Sequence, residues 1–484
     1  MKNSVVDKLT EYISGRSCGI MGFGVSNRPL TKRLCDMGVD VSVMDRMSID
    51  MLGDEAAELS HRGVRFICGE DCFSSPRGNV IFRSPGIRPD IDGILKAIDA
   101  GAELTSEIEL FLELSDADTF AVTGSDGKTT STTLTGKILE TESKKRSSGK
   151  VFVGGNIGTP LLDRISDISD IDRVVMELSS FQLMTVKKAP KFSAITNISP
   201  NHLDWHTDMD EYIKAKLNVV GDNTERFVTN AECNITRSIA SDIVSRGEHR
   251  PDVYLFSSKY SSFDELFSFG SGRNDRAVYL KDGWIVISDG KTEEALLDTS
   301  LIRVPGIHNI ENFMTAIALT YHCVDTSIYS EVARDFLGVE HRLEWVRNID
   351  GTDYYNSSID SSPTRTAAAL SALAGRDIVI ICGGYDKKIP FEPLAKSLCE
   401  HVRAIVLTGA TGEKINAVIR SDPSYSEGHP HIVLEKDFEK AVLAAKELSR
   451  PNGCVLLSPA CASFDAFKNF AQRGNVFKNI VQNL

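Results

Sequence analysis

The sequence predicts an α/β protein of about three domains with mostly parallel sheets. Three observations predict it. The chain has 484 residues, and single cores stop growing near about 250–300 residues. Apolar runs of strand length alternate with polar, helix-length stretches along the whole chain. Many of those runs leave through a glycine or serine turn into helical sequence, the way parallel strands feed their crossover helices.

The first block opens with CGIMGFG (18–24), a strand entering a glycine turn. A helix is expected over 29–37, then the strand DVSVM (40–44) ending at Asp45, then VRFICG (64–69) and NVIFRSPG (79–86). A second block starts with TFAVT (119–123) and continues through VFVGG (151–155), RVVMELS (173–179) and FSAITNIS (192–199). A third includes DIVIICGG (377–384), RAIVLTG (403–409) and GCVLLSP (453–459). Boundaries are expected near residues 105–107 and near Gly338, giving domains 1–106, 107–337 and 338–484. The segment TESKKRSSGK (141–150) reads as a solvated loop after a helix. No sequence repeat recurs at a fixed period.

Composition narrows the function classes. The hydrophobic fraction is 42% and the charged fraction 25%, ordinary for a folded globular chain. Lys plus Arg number 54 against 67 Asp plus Glu, a net charge of −13. That balance argues against a nucleic-acid partner. Anions must be met by local devices: helix N-termini, single lysines or a metal. The ten cysteines are scattered without a CxxC pair, which reads as free thiols in a reducing compartment. The N-terminus has no apolar stretch of a signal peptide, and no run reaches the length of a membrane span. A cytoplasmic protein without membrane contact is expected.

The strongest motif is Gly124-Ser125-Asp126-Gly127-Lys128-Thr129-Thr130, between an apolar strand and a helical run. Glycines let backbone N–H groups turn around phosphate oxygens, a lysine reaches the terminal phosphates, and the Thr129 hydroxyl suits Mg²⁺. The spacing is shorter than the usual P-loop. Glu177, leaving another strand, is placed as a second Mg²⁺ ligand. A second glycine turn, Gly22-Phe23-Gly24-Val25-Ser26-Asn27, is followed by Asp45 at the end of the next strand. It lacks the third glycine of a dinucleotide fingerprint, yet offers a helix N-terminus for a diphosphate and a carboxylate for a ribose or base. Ser84-Pro85-Gly86 ends a strand on the same expected edge. His202, Lys216, Arg342, Asp386, Lys387 and Ser463 are each weak signals alone; for the last, a hydroxyl at the start of the final helix is expected to face an anion.

Together the segments GFGVSN, SPGI, SEIELF, TGSDGKTT, GGNIGTPL, ELSSFQL, TNISPNHLDWH, YIKAKLNV, GIHNIENFMTA, HRLEW, GGYDK and LLSPACASFDAFKNFAQRGNVF resemble the Mur ligase family of peptidoglycan precursor synthesis. The resemblance spans almost the whole chain. Its last segment and GGNIG…ELSSFQL are most similar to the D-glutamate-adding branch. It implies a Rossmann-like UDP-binding domain, a central P-loop ATPase-like domain and a C-terminal Rossmann-like domain that binds the amino acid. It implies an ATP-dependent amide ligase working through an acyl phosphate and a tetrahedral intermediate, with UDP-N-acetylmuramoyl-L-alanine and D-glutamate as substrates. A monomer is expected, with domain closure needed for catalysis.

The resemblance also assigns positions. Lys128, His202 and Lys216 are implied as catalytic. Gly124, Ser125, Asp126, Gly127, Lys128, Thr129, Thr130, Asn309, Asn312 and Arg342 are implied around ATP. Two Mg²⁺ sites are implied, with Thr129, Glu177, His202 and a Lys216 carbamylated by CO₂ as ligands. Val25, Ser26, Asp45, Ser84, Gly86 and Asn156 align around the UDP substrate, and Ser361, Lys387, Ser463 and Phe470 around the amino acid. One stretch departs from the family. Where an Asn-Asp-Ser-Lys-Ala-Thr-Asn run is usual, this chain has Asn356-Ser357-Ser358-Ile359-Asp360-Ser361-Ser362. The acid becomes Ser357 and the lysine Ile359, leaving Arg365 or Lys388 to supply the cation. The alternatives left open are a Mur-type ligase for another amino acid, a folylpolyglutamate-type synthetase and a non-catalytic nucleotide-binding homologue.

Overall fold

The computed structural model describes residues 4–247 and 249–484, with side chains from residue 8 onward. Among the described residues, twenty strands form three sheets. The first contains β1 (Cys18–Met21), β2 (Val41–Asp45), β3 (Arg65–Cys68), β4 (Val80–Arg83) and β5 (Glu103–Thr105), in the order β3-β2-β1-β4-β5 and parallel throughout. β1, β2 and β4 are buried along their whole length. That explains their unbroken apolar runs, since a parallel sheet is covered on both faces. The chain reverses direction across the sheet between β1 and β4, and the turns after both strands meet there.

The second sheet contains β6 (Asp118–Thr123), β7 (Val151–Gly155), β8 (Arg173–Glu177), β9 (Phe192–Ile195), β10 (Arg226–Asn230), β11 (Asp252–Ser257), β12 (Arg276–Lys281), β13 (Trp284–Ser288) and β14 (Glu293–Asp298). Its order is β14-β13-β12-β11-β10-β9-β6-β8-β7. The pairs from β7 to β12 are parallel, and β12-β13-β14 close the sheet as an antiparallel meander. The edge strand β14 begins with exposed Glu293 and Glu294. The third sheet contains β15 (Glu344–Ile349), β16 (Thr352–Asn356), β17 (Ile378–Gly383), β18 (Val402–Thr408), β19 (His431–Leu434) and β20 (Cys454–Leu457). Its order is β15-β16-β20-β17-β18-β19, parallel except for the β15-β16 hairpin.

The chain packs as two compact units. Met1–Leu301 with Ile310–Val332 hold the first two sheets, and Ile302–Asn309 with Ala333–Leu484 hold the third. The α/β class with mostly parallel sheets is as the sequence predicts. Two local expectations are corrected. The helix after the glycine-lysine loop runs over Lys128–Arg146, so residues 141–146 are helical rather than loop. Lysines and an arginine in its last turn suit the negative end of the helix dipole. Ser463 does not start the final helix, which spans Phe470–Asn483 and is capped by the Asn469 side chain accepting from Gln472 N–H. Among the described residues no helix is long and apolar enough to cross a membrane.

Candidate functional site

The loop between β6 and helix α1 (Lys128–Arg146) is built from outside itself. Gly124 has φ 143° and Gly127 φ 78°, both in space that L side chains rarely occupy. A Cβ on Gly124 would overlap the Thr196 hydroxyl, and one on Gly127 would lie 2.6 Å from Asn312 Oδ1. Residues just past β9 hold the loop open. The Thr196 hydroxyl donates to Asp126 O at 2.5 Å, and Asp126 N–H donates to Asn197 Oδ1 at 3.0 Å. The Ser125 hydroxyl donates to Ser199 O at 3.0 Å and lies 2.9 Å from the Tyr212 hydroxyl. Lys128 Nζ folds back on the loop, donating to the carbonyls of Gly124 and Ser125 at 2.9 Å each. Thr129 and Thr130 occupy the first turn of α1, where backbone N–H groups lack intrahelical partners. The Ser131 hydroxyl of that turn donates to Asn312 Oδ1 at 3.1 Å.

Lys216 meets the same loop from helix α2 (Met209–Leu217). It is 1% exposed, and its Nζ donates to Gly124 O at 2.8 Å and Thr123 Oγ1 at 3.3 Å. Burial, then the nearby Lys128 charge, pull its pKa down to about 7. A substantial share of neutral amine at neutral pH follows. Glu177, at the end of β8, is buried. One oxygen accepts from Asn156 Nδ2 at 2.8 Å, while Oε2 has no hydrogen-bond partner among the described residues. Carboxylate oxygens left bare in a buried place call for a partner from outside. His202 holds a left-handed backbone, φ 56°, and packs edge-on against Phe181. Burial and the Lys128 charge lower its pKa, favouring the neutral ring that ligates metals.

In the first sheet, Asp45 receives the N–H of Phe23 at 2.7 Å and of Met47 at 2.9 Å, so its carboxylate pins the glycine turn. Gly22 has φ 82°, and a Cβ there would sit 2.7 Å from Ser84 Oγ. The Ser84 hydroxyl donates to Gly22 O at 3.1 Å, so the two turns are joined. Val25 is 78% exposed and Ser26 precedes a helix over Asn27–Asp36. Asn27, the last residue of that turn motif, donates to Gly22 O and Ser84 Oγ while its own Oδ1 is buried without a partner among the described residues. Gly86 O accepts from Trp205 Nε1 at 3.2 Å.

In the second unit, Lys387 Nζ donates to Ser361 Oγ at 3.2 Å, bringing together two of the positions aligned with the amino acid. Ser463 is 2% exposed in the loop after β20, and Phe470 is 39% exposed. The Ser358 hydroxyl donates to Phe470 O at 2.8 Å, and buried Arg473 donates to the carbonyls of Ser358, Cys461 and Ala462. Arg473 thus ties the two loops into one wall. Arg342 stands between His341 and Leu343, which hold positive φ values of 64° and 43°. Arg365 donates to Ile359 O at 3.3 Å, and Lys388 N–H to Asp386 Oδ1 at 2.7 Å. Asn309 Nδ2 donates to Pro305 O at 2.6 Å.

The profile of Mur ligase middle domains matches residues 122–320, and the profile described as the Mur ligase, glutamate ligase domain matches 341–461. The chain belongs to the Mur ligase family. Among its relatives, the UDP-N-acetylmuramoylalanine--D-glutamate ligase of Acetivibrio thermocellus is 41% identical, covering 100% of this chain and 99% of the relative. The ligase of the same name from Ruminiclostridium cellulolyticum is 40% identical, covering 100% of both. The solved UDP-N-acetylmuramate-alanine ligase of Thermotoga maritima shares the fold. Its TM-score is 0.53 at 18% identity, covering 97% of this chain and 99% of that one.

The donor chemistry of this Mur ligase fits Mg²⁺. Among the described residues no group of three or more His, Cys, Asp or Glu side chains could hold a metal ion. Mg²⁺ does not require one, since it keeps waters and takes one or two protein oxygens beside substrate phosphates. The bare Glu177 Oε2 and the Thr129 hydroxyl at the helix start provide that kind of donor set. The residues that sequence reasoning missed in the Mur ligase are the supports: Thr196, Asn197 and Phe181. Polar residues leaving a buried strand, as in TNIS, were the available signal.

Proposed function

We propose that this Mur ligase joins D-glutamate to UDP-N-acetylmuramoyl-L-alanine at the expense of ATP, in peptidoglycan precursor synthesis. The observation that carries the reading is the convergence of Lys128 and Lys216 on one glycine loop, with Glu177 at the end of the strand paired beside β6, in a chain alike over its whole length to ligases of that name. Residues 1–106 bind the uridine substrate, 107–337 the ATP and 338–484 the amino acid. The first-sheet turns, with Val25, Ser26, Asp45, Ser84 and Gly86, receive the uridine nucleotide. Asn156 and His202 receive the muramoyl end. Asn309, Asn312 and Arg342 contact the adenine nucleotide.

Amide formation from a carboxylate in water is uphill, so the carboxylate is first phosphorylated. Lys128 exchanges its two loop carbonyls for phosphate oxygens, and the N–H groups of the α1 first turn face the same anion. The substrate carboxylate attacks the γ-phosphorus, ADP leaves, and the acyl phosphate is attacked by the neutral amine of D-glutamate. The tetrahedral adduct then expels phosphate. Thr129 and Glu177 would hold one Mg²⁺, and His202 with carbamylated Lys216 a second, supplying positive charge beside the transferring phosphate. The neutral Lys216 amine would add to CO₂ with release of one proton, supplying an anionic carbamate oxygen as ligand. Lys387, Ser361 and Ser463 face the two carboxylates of the amino acid, with Phe470 beside them.

The test is phosphate release with UDP-N-acetylmuramoyl-L-alanine and a panel of amino acids. D-glutamate is expected to be preferred. Clear preference for another amino acid overturns the specificity and keeps the ligase chemistry. No turnover with any of them overturns the reading.

A further inference from the structure

The first sheet is fastened to the central one by two arginines that no catalytic assignment uses. Arg83, the last residue of β4, is 1% exposed. Its Nη1 donates to Pro85 O at 3.1 Å and Ile87 O at 2.6 Å, and its Nη2 donates to Phe181 O at 2.8 Å. One guanidinium therefore shapes the 84–87 turn and binds it to the short helix Ser180–Leu183, three residues past Glu177. Arg88 sits at the other end of the turn. It donates to Trp205 O at 2.7 Å and makes a two-pronged pair with Glu211 at 2.8 and 3.1 Å. Glu211 lies on α2, which carries Lys216, and Trp205 lies three residues past His202.

The bracing is closed by further bonds. Trp205 Nε1 returns to Gly86 O, and the Arg88 guanidinium lies 5.2 Å from the Trp205 ring centre. Glu211 Oε2 lies 3.1 Å from His206 Nδ1, whose Nε2 lies 2.9 Å from Ser180 Oγ. Both arginines thus reach the elements that hold Glu177, His202 and Lys216 without touching those residues. A planar fork with five donors can satisfy several carbonyls at fixed angles, which an ammonium cannot.

We propose that Arg83 and Arg88 are positioning residues for the ligase reaction, bracing the 84–87 turn against the segments of Glu177, His202 and Lys216 so that the substrate carboxylate reaches the phosphate loop at the right depth. This rests on the reading of the first sheet as the uridine-substrate site. Binding energy gained at the nucleotide end, far from the reacting carbon, is then converted into orientation at the phosphate. A loosened brace leaves each substrate bound and misplaces the carboxylate, so kcat falls while affinities stay.

The experiment compares the wild-type chain with Arg83→Met, Arg88→Met, Arg88→Lys and Glu211→Gln by steady-state kinetics and calorimetry. Thermal unfolding checks the amount of folded protein. Per folded molecule, Arg83→Met and Arg88→Met should lose about tenfold or more in kcat. KM for ATP and Kd for UDP-N-acetylmuramoyl-L-alanine should stay within about threefold. Arg88→Lys should recover part of the loss, and Glu211→Gln, which cuts the Arg88 pair from the other side, should reproduce part of the Arg88→Met effect whether or not Arg83→Met folds. Unchanged kcat in the folded variants, or a loss confined to KM or to the folded fraction, overturns the proposal. Absence of wild-type turnover overturns the functional reading and this proposal together, whereas wild-type turnover shared in full by the variants overturns this proposal alone.

Discussion

Lys128 Nζ donates to two neutral carbonyls of its own loop. In the proposed reaction its contact with phosphate is made as charge moves, so Lys128→Ala should lower kcat by about 10² or more, taking about 3 kcal/mol for such a contact. Near-normal turnover of the folded variant would remove the assignment. Lys216 leads to a different experiment. Its buried, partly neutral amine is suited to CO₂, so Lys216→Ala should be inactive and partly restored by formate or acetate, whose carboxylate can take the vacated ligand position. No restoration by any short acid would point to an unmodified lysine. Asp360 stands where the family usually has Ala. It is buried, accepts from Ser458 Oγ at 2.9 Å, and burial pushes its pKa up to about 6 from 3.8, against the Ser357 and Ser458 hydrogen bonds. The raised value means the neutral form is favoured in the folded state. Its contribution is complete below the unfolded pKa and is lost as pH rises through about 6. Asp360→Asn should therefore gain on the wild type between about pH 4 and pH 6, by up to about 3 kcal/mol. Urea unfolding across that range measures it, and a gap that stays flat with pH would contradict it.

At the scale of elements, the phosphate loop depends on its glycines more than on its own hydrogen bonds. Gly127→Ala puts a Cβ in left-handed space, about 1–2 kcal/mol unfavourable, and 2.6 Å from Asn312 Oδ1. ATP affinity measured by calorimetry should fall about tenfold or more, with the circular dichroism of the fold kept; unchanged affinity would mean that the loop tolerates the side chain. Elements were legible in the sequence in proportion to their burial. β1, β4, β6 and β8 are continuous apolar runs because helices cover both faces, and their starts are found within a residue. The β12-β13 hairpin was missed, although Asp282-Gly283 between RAVYLK and WIVIS is a strong turn signal. The end of α1 was misread because exposed charges mark a helix surface as readily as a loop. Of the candidate site, the loop and Glu177 could be read from residue type and position. The supports from the 196–199 turn and from Arg83 and Arg88 could not, since they depend on which strands become neighbours.

The whole molecule consists of two units, each with its own sheet-centred core. A ligand that binds one unit should stabilise that unit, by about 2.7 kcal/mol at a hundredfold excess over its Kd. Added alone, the uridine substrate should slow hydrogen exchange and delay thermal opening within Met1–Leu301 and leave residues 344–457 unchanged. Mass spectrometry of peptides along a thermal ramp reads both at once. Equal protection in the two units would place the uridine site elsewhere.

The nine-stranded sheet has one more property at that scale. Its outer strand β14 offers an unpaired row of amides and carbonyls, a template on which another chain could add. Exposed Glu293 and Glu294 stand at its start, Glu293 bonded to Tyr279 and Lys281 of the same sheet. Two such edges approaching each other would bring carboxylates of like sign together at hydrogen-bonding distance. The exposed carboxylates at the start of β14 therefore disfavour the addition of a further strand on this edge.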